Sequence, residues 1–313
     1  MEYRKLGTTE LQVSVVAIGT WAMGGYVPTW GPVDDNESIT AIKQGIDLGM
    51  TLIDTAPAYG HGHSEEVVGN AIADRRDQVV VATKCGLVWS GKDGPNQRCL
   101  KPDTVRKECE ASLRRLRIET IDLYQIHWPD PETPIADTMA TLLALRDQGK
   151  IRVIGVSNFS CEQMSQARQH GPIHSLQTEL SMLEPQARDE LLPYCQEYGM
   201  GVLAFAPFAR GLLTGKFAAS SRFNDLRAKD RRYTGTAFQS NLALVEKLCP
   251  IAADLGCTMA QLAIRWVIQQ AGVATVVTGA KRLSQVEEDA GAGDITIPNT
   301  AMDAIDAILT EHK

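Results

Sequence analysis

Eight short apolar runs rich in Val, Ile and Leu recur along the chain, with helical patterns filling most of the gaps between them. The runs are "VVAIG", "MTLID", "QVVVATK", "IDLYQIH", "IRVIGVSN", "HSLQTE", "MGVLAFAP" and "VATVVTG". Most read as continuous apolar stretches rather than alternating ones, which suits strands buried on both faces and so favours a parallel sheet. Parallel neighbours need long crossovers. Segments such as "ESITAIKQGIDLG", "KPDTVRKECEASLRRLRIE" and "CEQMSQARQHG" supply them. In "TPIADTMATLLALRDQGK", Ile135, Met139, Leu142, Leu143 and Leu145 form a helical stripe. Ser38, Asp103, Thr133 and Ser160 lie near expected helix starts, and Gly49, Gly149 and Gly171 near expected ends.

Eight alternating units in 313 residues predict an α/β fold, a (β/α)8 TIM barrel spanning 1–313 as one domain. A doubly wound open sheet is the runner-up. It would carry a glycine fingerprint after its first strand, and "AIGTWAMGG" is not one. No phosphate-binding G-x-x-x-x-G-K-[ST] loop is present either. "YRKLGTTELQVSVV" predicts an N-terminal β-hairpin that could plug the barrel bottom, and additional helices are expected at the C-terminus. The polar stretch 216–239 reads as a long loop, a candidate lid.

At 44% hydrophobic and 22% charged residues the chain reads as an ordinary globular protein. A net charge of -7 without a basic run argues against nucleic acid or an anionic membrane as partner. Seven widely spaced cysteines with no C-x-x-C argue against a disulfide framework or a zinc site, and for a reducing compartment. The N-terminal residues do not read as a signal peptide and no apolar stretch reads as a membrane span, so the expectation is a cytoplasmic protein. A homo-oligomer stays open.

In a barrel of this kind catalytic groups stand at the C-terminal ends of the strands. The second run ends in Asp54, with Tyr59 in the loop beyond it. The third ends in Lys84, the fourth in His127, the fifth in Ser157 and Asn158, and the sixth in Gln177. The seventh ends in Phe205 and Pro207, the eighth in Thr278 and Gly279. Each alone has a structural reading, because turns want polar residues. Together an Asp, a Tyr, a Lys and a His on one rim form a carbonyl-reducing set. Reduction needs a proton at oxygen. A phenol, with an ordinary pKa of about 10, needs roughly 4 kcal/mol of phenolate stabilisation to act near 7. A buried ammonium at Lys84 can supply it, with Asp54 keeping that ammonium charged. His127 can donate a hydrogen bond to the substrate oxygen.

The chain resembles the aldo-keto reductase superfamily. The resemblance rests on "KLGTTELQVSVVAIGTWAMGG", "LIDTAPAYGHGHSEEVVGNAI", "VVVATKCG", "SLRRLRIETIDLYQIHWPD", "GKIRVIGVSNFS", "FAPFARGLLTGKF" and "VVTGAKRLSQVEEDAGA". It is most similar to bacterial reductases of small carbonyls such as methylglyoxal and hydroxyaldehydes, and more distantly to potassium-channel beta subunits. The resemblance implies NAD(P)H-dependent hydride transfer to small aldehydes, ketones or sugars. It implies Asp54, Tyr59, Lys84 and His127 as the tetrad, with Tyr59 as general acid. It places Ser157, Asn158 and Gln177 on the nicotinamide carboxamide. Phe205 takes the position of the usual stacking Tyr, and Ala206 that of the usual Ser before Pro207.

Leu212, Gly215 and Lys216 fall in the pyrophosphate-covering loop. Beyond Gly279, Lys281 and Arg282 match the 2′-phosphate position, and Gln285 and Glu288 the adenosine contacts. Asp289 replaces the usual Asn. NADP(H) is preferred over NAD(H), because an Arg fork suits phosphate. Trp21, Trp30, Trp89 and Trp128 follow strand ends, and Trp21 and Trp128 are the candidates for the substrate mouth. His61 and His63 invite a metal, but no second ligand cluster accompanies them and none is expected. Cys85 is read as packing rather than as a redox-sensitive thiol. "RAKDRRY" is read as a solvated loop, with a cofactor or lid role as the other reading. Two alternatives stay open: a cofactor-binding, redox-sensing subunit without significant turnover, and a Schiff-base lyase using Lys84.

Overall fold

The computed structural model describes residues 1–25, 33–91, 94–280 and 282–312. Strands β1 (Tyr3–Lys5) and β2 (Gln12–Ser14) form an antiparallel hairpin. The eight apolar runs become β3 (Val16–Gly19), β4 (Leu52–Asp54), β5 (Val80–Cys85), β8 (Ile121–Ile126), β9 (Ile151–Ser157), β10 (Ser175–Glu179), β11 (Gly201–Phe205) and β12 (Val273–Gly279). They close into a parallel barrel in chain order, with β12 pairing back onto β3. A second small hairpin, β6 (Leu87–Val88) with β7 (Gln97–Arg98), decorates the loop after β5.

Helices α1 (Asp35–Asp47), α2 (His63–Ile72), α3 (Pro102–Leu116), α4 (Ile135–Asp147), α5 (Cys161–Arg168) and α6 (Leu191–Glu197) each follow one barrel strand. α7 (Gly235–Asp254) and α8 (Met259–Ile268) both lie between β11 and β12, and α9 (Leu283–Gly291) and α10 (Asn299–Glu311) close the chain. No single helix among the described residues is long and apolar enough to cross a membrane.

The core has two parts. A large cluster lies between strands and helices. A smaller one fills the barrel itself: Ala17, Leu52, Ala82, Leu123, Val153 and Leu203, with Leu6 and Val13 from the first hairpin. Leu6 and Val13 are fully buried, so the hairpin plugs the floor. Side chains along a strand share a face every second residue. Stepping two residues on from Leu52, Ala82 and Leu123 therefore puts Asp54, Lys84 and Gln125 inside the barrel, one layer up.

Ser38 lies near the start of α1, buried in its first turn, and Asp34 caps the helix, accepting from the amides of Asn36 and Glu37. One boundary differs from the sequence reading: the stretch 216–239 is not loop to its end, because α7 begins at Gly235. Gly235 and Thr236 are weak helix formers, so propensity hides that start, while Phe238 anchors it by packing against Phe223 and Tyr233. Ser160, by contrast, caps α5 through a reciprocal capping box with Gln163.

Candidate active site

One ammonium organises the barrel mouth. Lys84, fully buried, donates to Asp54 Oδ1 at 2.8 Å and Oδ2 at 2.7 Å, and to the Thr55 carbonyl at 3.0 Å. It also lies 3.1 Å from the Tyr59 hydroxyl oxygen. Tyr59 stands edge-on to His127, with ring centroids 5.8 Å apart. The structure thus brings all four strand-end residues Asp54, Tyr59, Lys84 and His127 together.

Local devices hold this set. The Ser64 hydroxyl donates to Thr20, 2.7 Å from its Oγ1 and 3.0 Å from its carbonyl, and it also lies 3.1 Å from the Thr55 hydroxyl. Thr20 in turn donates its amide and hydroxyl to the Asp54 carbonyl. The start of α2 is thereby fastened to the ends of β3 and β4, with Tyr59 in between. Behind them buried Glu65 accepts from Thr83 at 2.6 Å and from Arg115 at 2.7 Å.

The electrostatics differ from the sequence expectation at one point. Burial pushes the Tyr59 hydroxyl up, Lys84 pulls it down, Asp54 pushes it up again, and the result lies above the ordinary phenol value. In the free protein Tyr59 is therefore a neutral donor, not a phenol brought near 7. The Lys84 effect has the expected sign, but desolvation outweighs it. For Lys84 itself, burial acts to lower the pKa, yet Asp54 and Tyr59 together hold it above the usual ammonium value. His127 is pushed well below its ordinary value by burial and then by the Lys84 charge, so it is neutral. A neutral imidazole keeps one N–H and can donate it to an oxygen in the mouth.

The cofactor candidates line the same rim. Ser157 ends β9, and the Asn158 amide donates to Ser157 Oγ and to the His127 carbonyl, both at 3.0 Å. Gln177 donates to Asp54 Oδ1 at 2.7 Å, which leaves its carbonyl oxygen for a carboxamide N–H. Phe205 ends β11. Beyond it Ala206, Ala209 and Arg210 all take left-handed φ values of 57°, 46° and 59°, on either side of Pro207. Non-glycine residues avoid that region, and clusters of such turns aim backbone amides into anion-binding hollows. Leu212 is buried and Gly215 ends the turn with φ 73°.

Lys216, half-buried, is pulled down by burial and Arg227 and pushed up by Glu288, so the loop after β11 and helix α9 meet around it. This donor set suits a dinucleotide: amides and hydroxyls for a carboxamide, cations and turned backbone for phosphates. Arg282 immediately precedes α9, and Gly279, Arg282 and Gln285 are exposed there. Lys281 lies outside the described residues. Asp289 does not face solvent: only 3% exposed, its carboxyl packs against Thr278, one oxygen has no hydrogen-bond partner, and burial raises it to about 7.

Trp21 and Trp128 are exposed at 42% and 37%, and Trp21 lies 6.5 Å from the Tyr59 ring between centroids. Arg98 sits over the Trp128 ring. Trp30 lies outside the described residues. His61 stacks on Trp89, and His63 bonds Asp35 at 2.9 Å. Cys85 is buried and its thiol is pushed well up by burial.

Three features escaped the sequence reading. Gln125, fully buried, approaches Asp54 Oδ1 at 3.4 Å. Its signal was a lone amide inside "IDLYQIH", on the same strand face as His127. Tyr233 donates to the carbonyls of Arg210 at 2.8 Å and Ala209 at 3.1 Å. Asp230 pairs with Arg210 and Arg232 at 3.2 and 2.7 Å. These residues of "RAKDRRY" and its neighbourhood tie the long segment onto the left-handed turn.

The sequence profile of the Aldo/keto reductase family matches residues 15–310. The aldo-keto reductase YhdN of Bacillus subtilis is 41% identical over 292 residues, covering 92% of this chain and 87% of that protein. The NADH-specific methylglyoxal reductase of Escherichia coli is 36% identical over 305 residues, covering 93% of each. Among solved structures, the glycerol dehydrogenase AKR11B4 of Gluconobacter oxydans superimposes with a TM-score of 0.93 at 40% identity, over 99% of this chain and 95% of that one.

Proposed function

The chain belongs to the aldo/keto reductase family, and from that premise we propose that it reduces small, polar aldehydes and ketones with NADP(H) as the preferred cofactor. The observation that carries this reading is the Tyr59 hydroxyl held 3.1 Å from a buried, charged Lys84 that Asp54 grips through both oxygens.

A nicotinamide held here would supply the hydride for the carbonyl carbon. The protein supplies the rest. His127, neutral, donates its N–H to the substrate oxygen and orients it. Tyr59 gives its proton to that oxygen as negative charge develops there. Lys84 stabilises the phenolate left behind, and Asp54 keeps Lys84 protonated. Ser157, Asn158 and Gln177 would hold the carboxamide, with the Phe205 ring against the nicotinamide. The turn around Pro207, with Leu212, Gly215 and Lys216, would hold the pyrophosphate. Gly279, Lys281, Arg282, Gln285 and Glu288 would hold the adenosine end.

The preference for NADP(H) rests on Arg282, whose planar fork suits a 2′-phosphate. The NADH-specific relative pulls the other way. For substrate, a methylglyoxal reductase and a glycerol dehydrogenase among the similar proteins favour three-carbon carbonyls. Trp21 and Trp128 would flank such a substrate. We place the reaction in the cytoplasm, because seven free cysteines suit a reducing compartment.

The test is steady-state reduction of methylglyoxal, glyceraldehyde and dihydroxyacetone with NADPH and with NADH, alongside Tyr59→Phe. Turnover in the wild type and its loss in the variant, with nucleotide binding retained, is the expected result. Near-wild-type turnover in Tyr59→Phe overturns the role of Tyr59, and tighter NADH than NADPH binding overturns the cofactor preference.

A further inference from the structure

The polar layer inside the barrel contains more than the mechanism uses. Asp54 Oδ1 accepts from Lys84 at 2.8 Å and from Gln177 at 2.7 Å, and the Gln125 amide nitrogen lies 3.4 Å away. All four side chains are essentially sealed from solvent. Gln125 is the register partner of Lys84 on one side and of Gly155 on the other. Gly155 makes its room, since a Cβ there would come within 3.0 Å of Gln125 Cγ.

Gln125 is an expensive choice for this place. Its carbonyl oxygen is buried with no hydrogen-bond partner among the described residues. A Leu or Met would fill the space without stranding an acceptor. Turning the amide over gives no relief, because it would set that oxygen against the Asp54 carboxylate. The amide is therefore oriented by Asp54, with the positive end of its dipole toward the carboxylate.

We propose that Gln125 and Gln177 form an amide clamp on Asp54: they are positioning residues that share in neutralising one carboxylate oxygen, so that more of the Lys84 field reaches the Tyr59 oxygen. Gln177 reaches Asp54 from β10, on the far side of the barrel from β4, and Gln125 from β8, two strands away. Gln177 has a second task at the cofactor under the reading above, on which the kinetic part of this inference rests. Gln125 has none, so it reports the clamp alone. Among the described residues, the charged and titratable groups facing Tyr59 are Lys84 from β5, Asp54 from β4 and neutral His127 just past the end of β8.

The test is Gln125→Met, which keeps the shape and removes the dipole, and Gln125→Glu, which replaces the amide with a second carboxyl group. Without the clamp the phenolate is less stabilised. The alkaline limb of kcat for aldehyde reduction and the acid limb of kcat for alcohol oxidation then move up in pH together. The expected shift for Gln125→Met is roughly one pH unit, about a tenfold change in the ionised fraction, with nucleotide Kd unchanged. Gln125→Glu, whose buried carboxyl keeps its proton beside the Asp54 carboxylate and still donates to it, moves both limbs less than Gln125→Met. A purely structural role for Gln125 would lower kcat without moving either limb, and that outcome overturns the proposal.

Tyrosinate ultraviolet titration, taken as the difference between each protein and its Tyr59→Phe version, reads the same shift without turnover. An inactive wild type would sink the functional reading, while a shifted titration would leave the clamp standing. Should Gln125→Met not fold, Gln177→Met decides: weaker nucleotide binding together with a shifted Tyr59 titration supports the clamp, and weaker binding alone overturns it.

Discussion

Gly60 lies against Gly24 so tightly that a Cβ on Gly60 would come within 1.9 Å of the Gly24 carbonyl oxygen. The contact is mutual, since a Cβ on Gly24 would meet the Gly60 amide nitrogen at 2.7 Å. Gly60 also takes φ 62°, which a side chain disfavours. Tyr59 is its neighbour in the chain, so this pair of loops fixes where Tyr59, the proposed general acid, stands.

Gly60→Ala is accordingly expected to move the Tyr59 loop away from Lys84 rather than to unfold the barrel. Misplacing a reacting group by about 1 Å can lower turnover about a hundredfold. We expect a loss of kcat on that scale with nucleotide binding within a few-fold of wild type and barrel circular dichroism intact. Wild-type kcat in Gly60→Ala would show that the loop has slack that the contact distances deny.

The Lys84–Asp54 pair predicts a stability pattern that activity alone would not reveal. Both groups are buried, and removing one partner leaves the other charge stranded, typically at a loss of about 3–5 kcal/mol. Lys84→Met is expected to lower the melting temperature strongly and to abolish turnover. Adding Asp54→Asn should return most of the stability and none of the activity, because a neutral pair needs no compensation but cannot stabilise a phenolate. A double variant as unstable as Lys84→Met would mean that packing, not charge, carries the loss.

How much of this was legible in the sequence depended on whether one strand or two loops decided the outcome. Asp54, Lys84 and His127 could be placed because strand periodicity and strand ends are local properties. The burial of Leu6 and Val13 under the barrel followed from a hairpin with a glycine turn. The contact of Gly24 with Gly60 joins loops after different strands, and no local pattern announces it. Gln125 was passed over because an amide inside an apolar run reads as an interruption until Asp54 is seen opposite it. For Tyr59, residue types gave the sign of the Lys84 effect but not the depth of burial, and burial won.

Asp289 makes stability depend on pH in a direction opposite to the usual salt-bridged carboxylate. Burial raises it to about 7 from an ordinary 3.8. Below the lower value the folded and unfolded states are both protonated and nothing is lost. As pH rises from about 4 to about 7 only the unfolded chain ionises, so stability falls, by up to roughly 4 kcal/mol, and then levels off. Glu108, raised to about 8 chiefly by burial while it accepts from the Gly86 amide, adds to the same slope. Asp289→Asn keeps the shape and removes the ionisation. Urea unfolding of this variant should match the wild type near pH 4 and exceed it clearly at pH 8. An equal difference at both values would contradict the assignment.

Tyr233 is expected to govern how firmly the nucleotide is held. Its hydroxyl proton is shared between the carbonyls of Arg210 and Ala209, two residues in left-handed conformations that few side chains adopt unaided. Asp230 adds a bond to Arg210 at 3.2 Å, so the segment before α7 grips the turn at two points. Tyr233→Phe removes the hydroxyl and leaves the ring packed against Phe238 and Phe223, so the fold should survive. A lost hydrogen bond of this kind is worth about 1 kcal/mol, or about fivefold in an equilibrium constant. Because the turn is loosened and the chemical groups are untouched, the loss should fall on nucleotide affinity and dissociation rate. Stopped-flow release of NADPH should therefore quicken about fivefold in Tyr233→Phe, while single-turnover reduction from the preformed complex keeps its wild-type rate. A slower single turnover with unchanged release would place Tyr233 in the chemistry of the mouth instead of in the clasp over the phosphates.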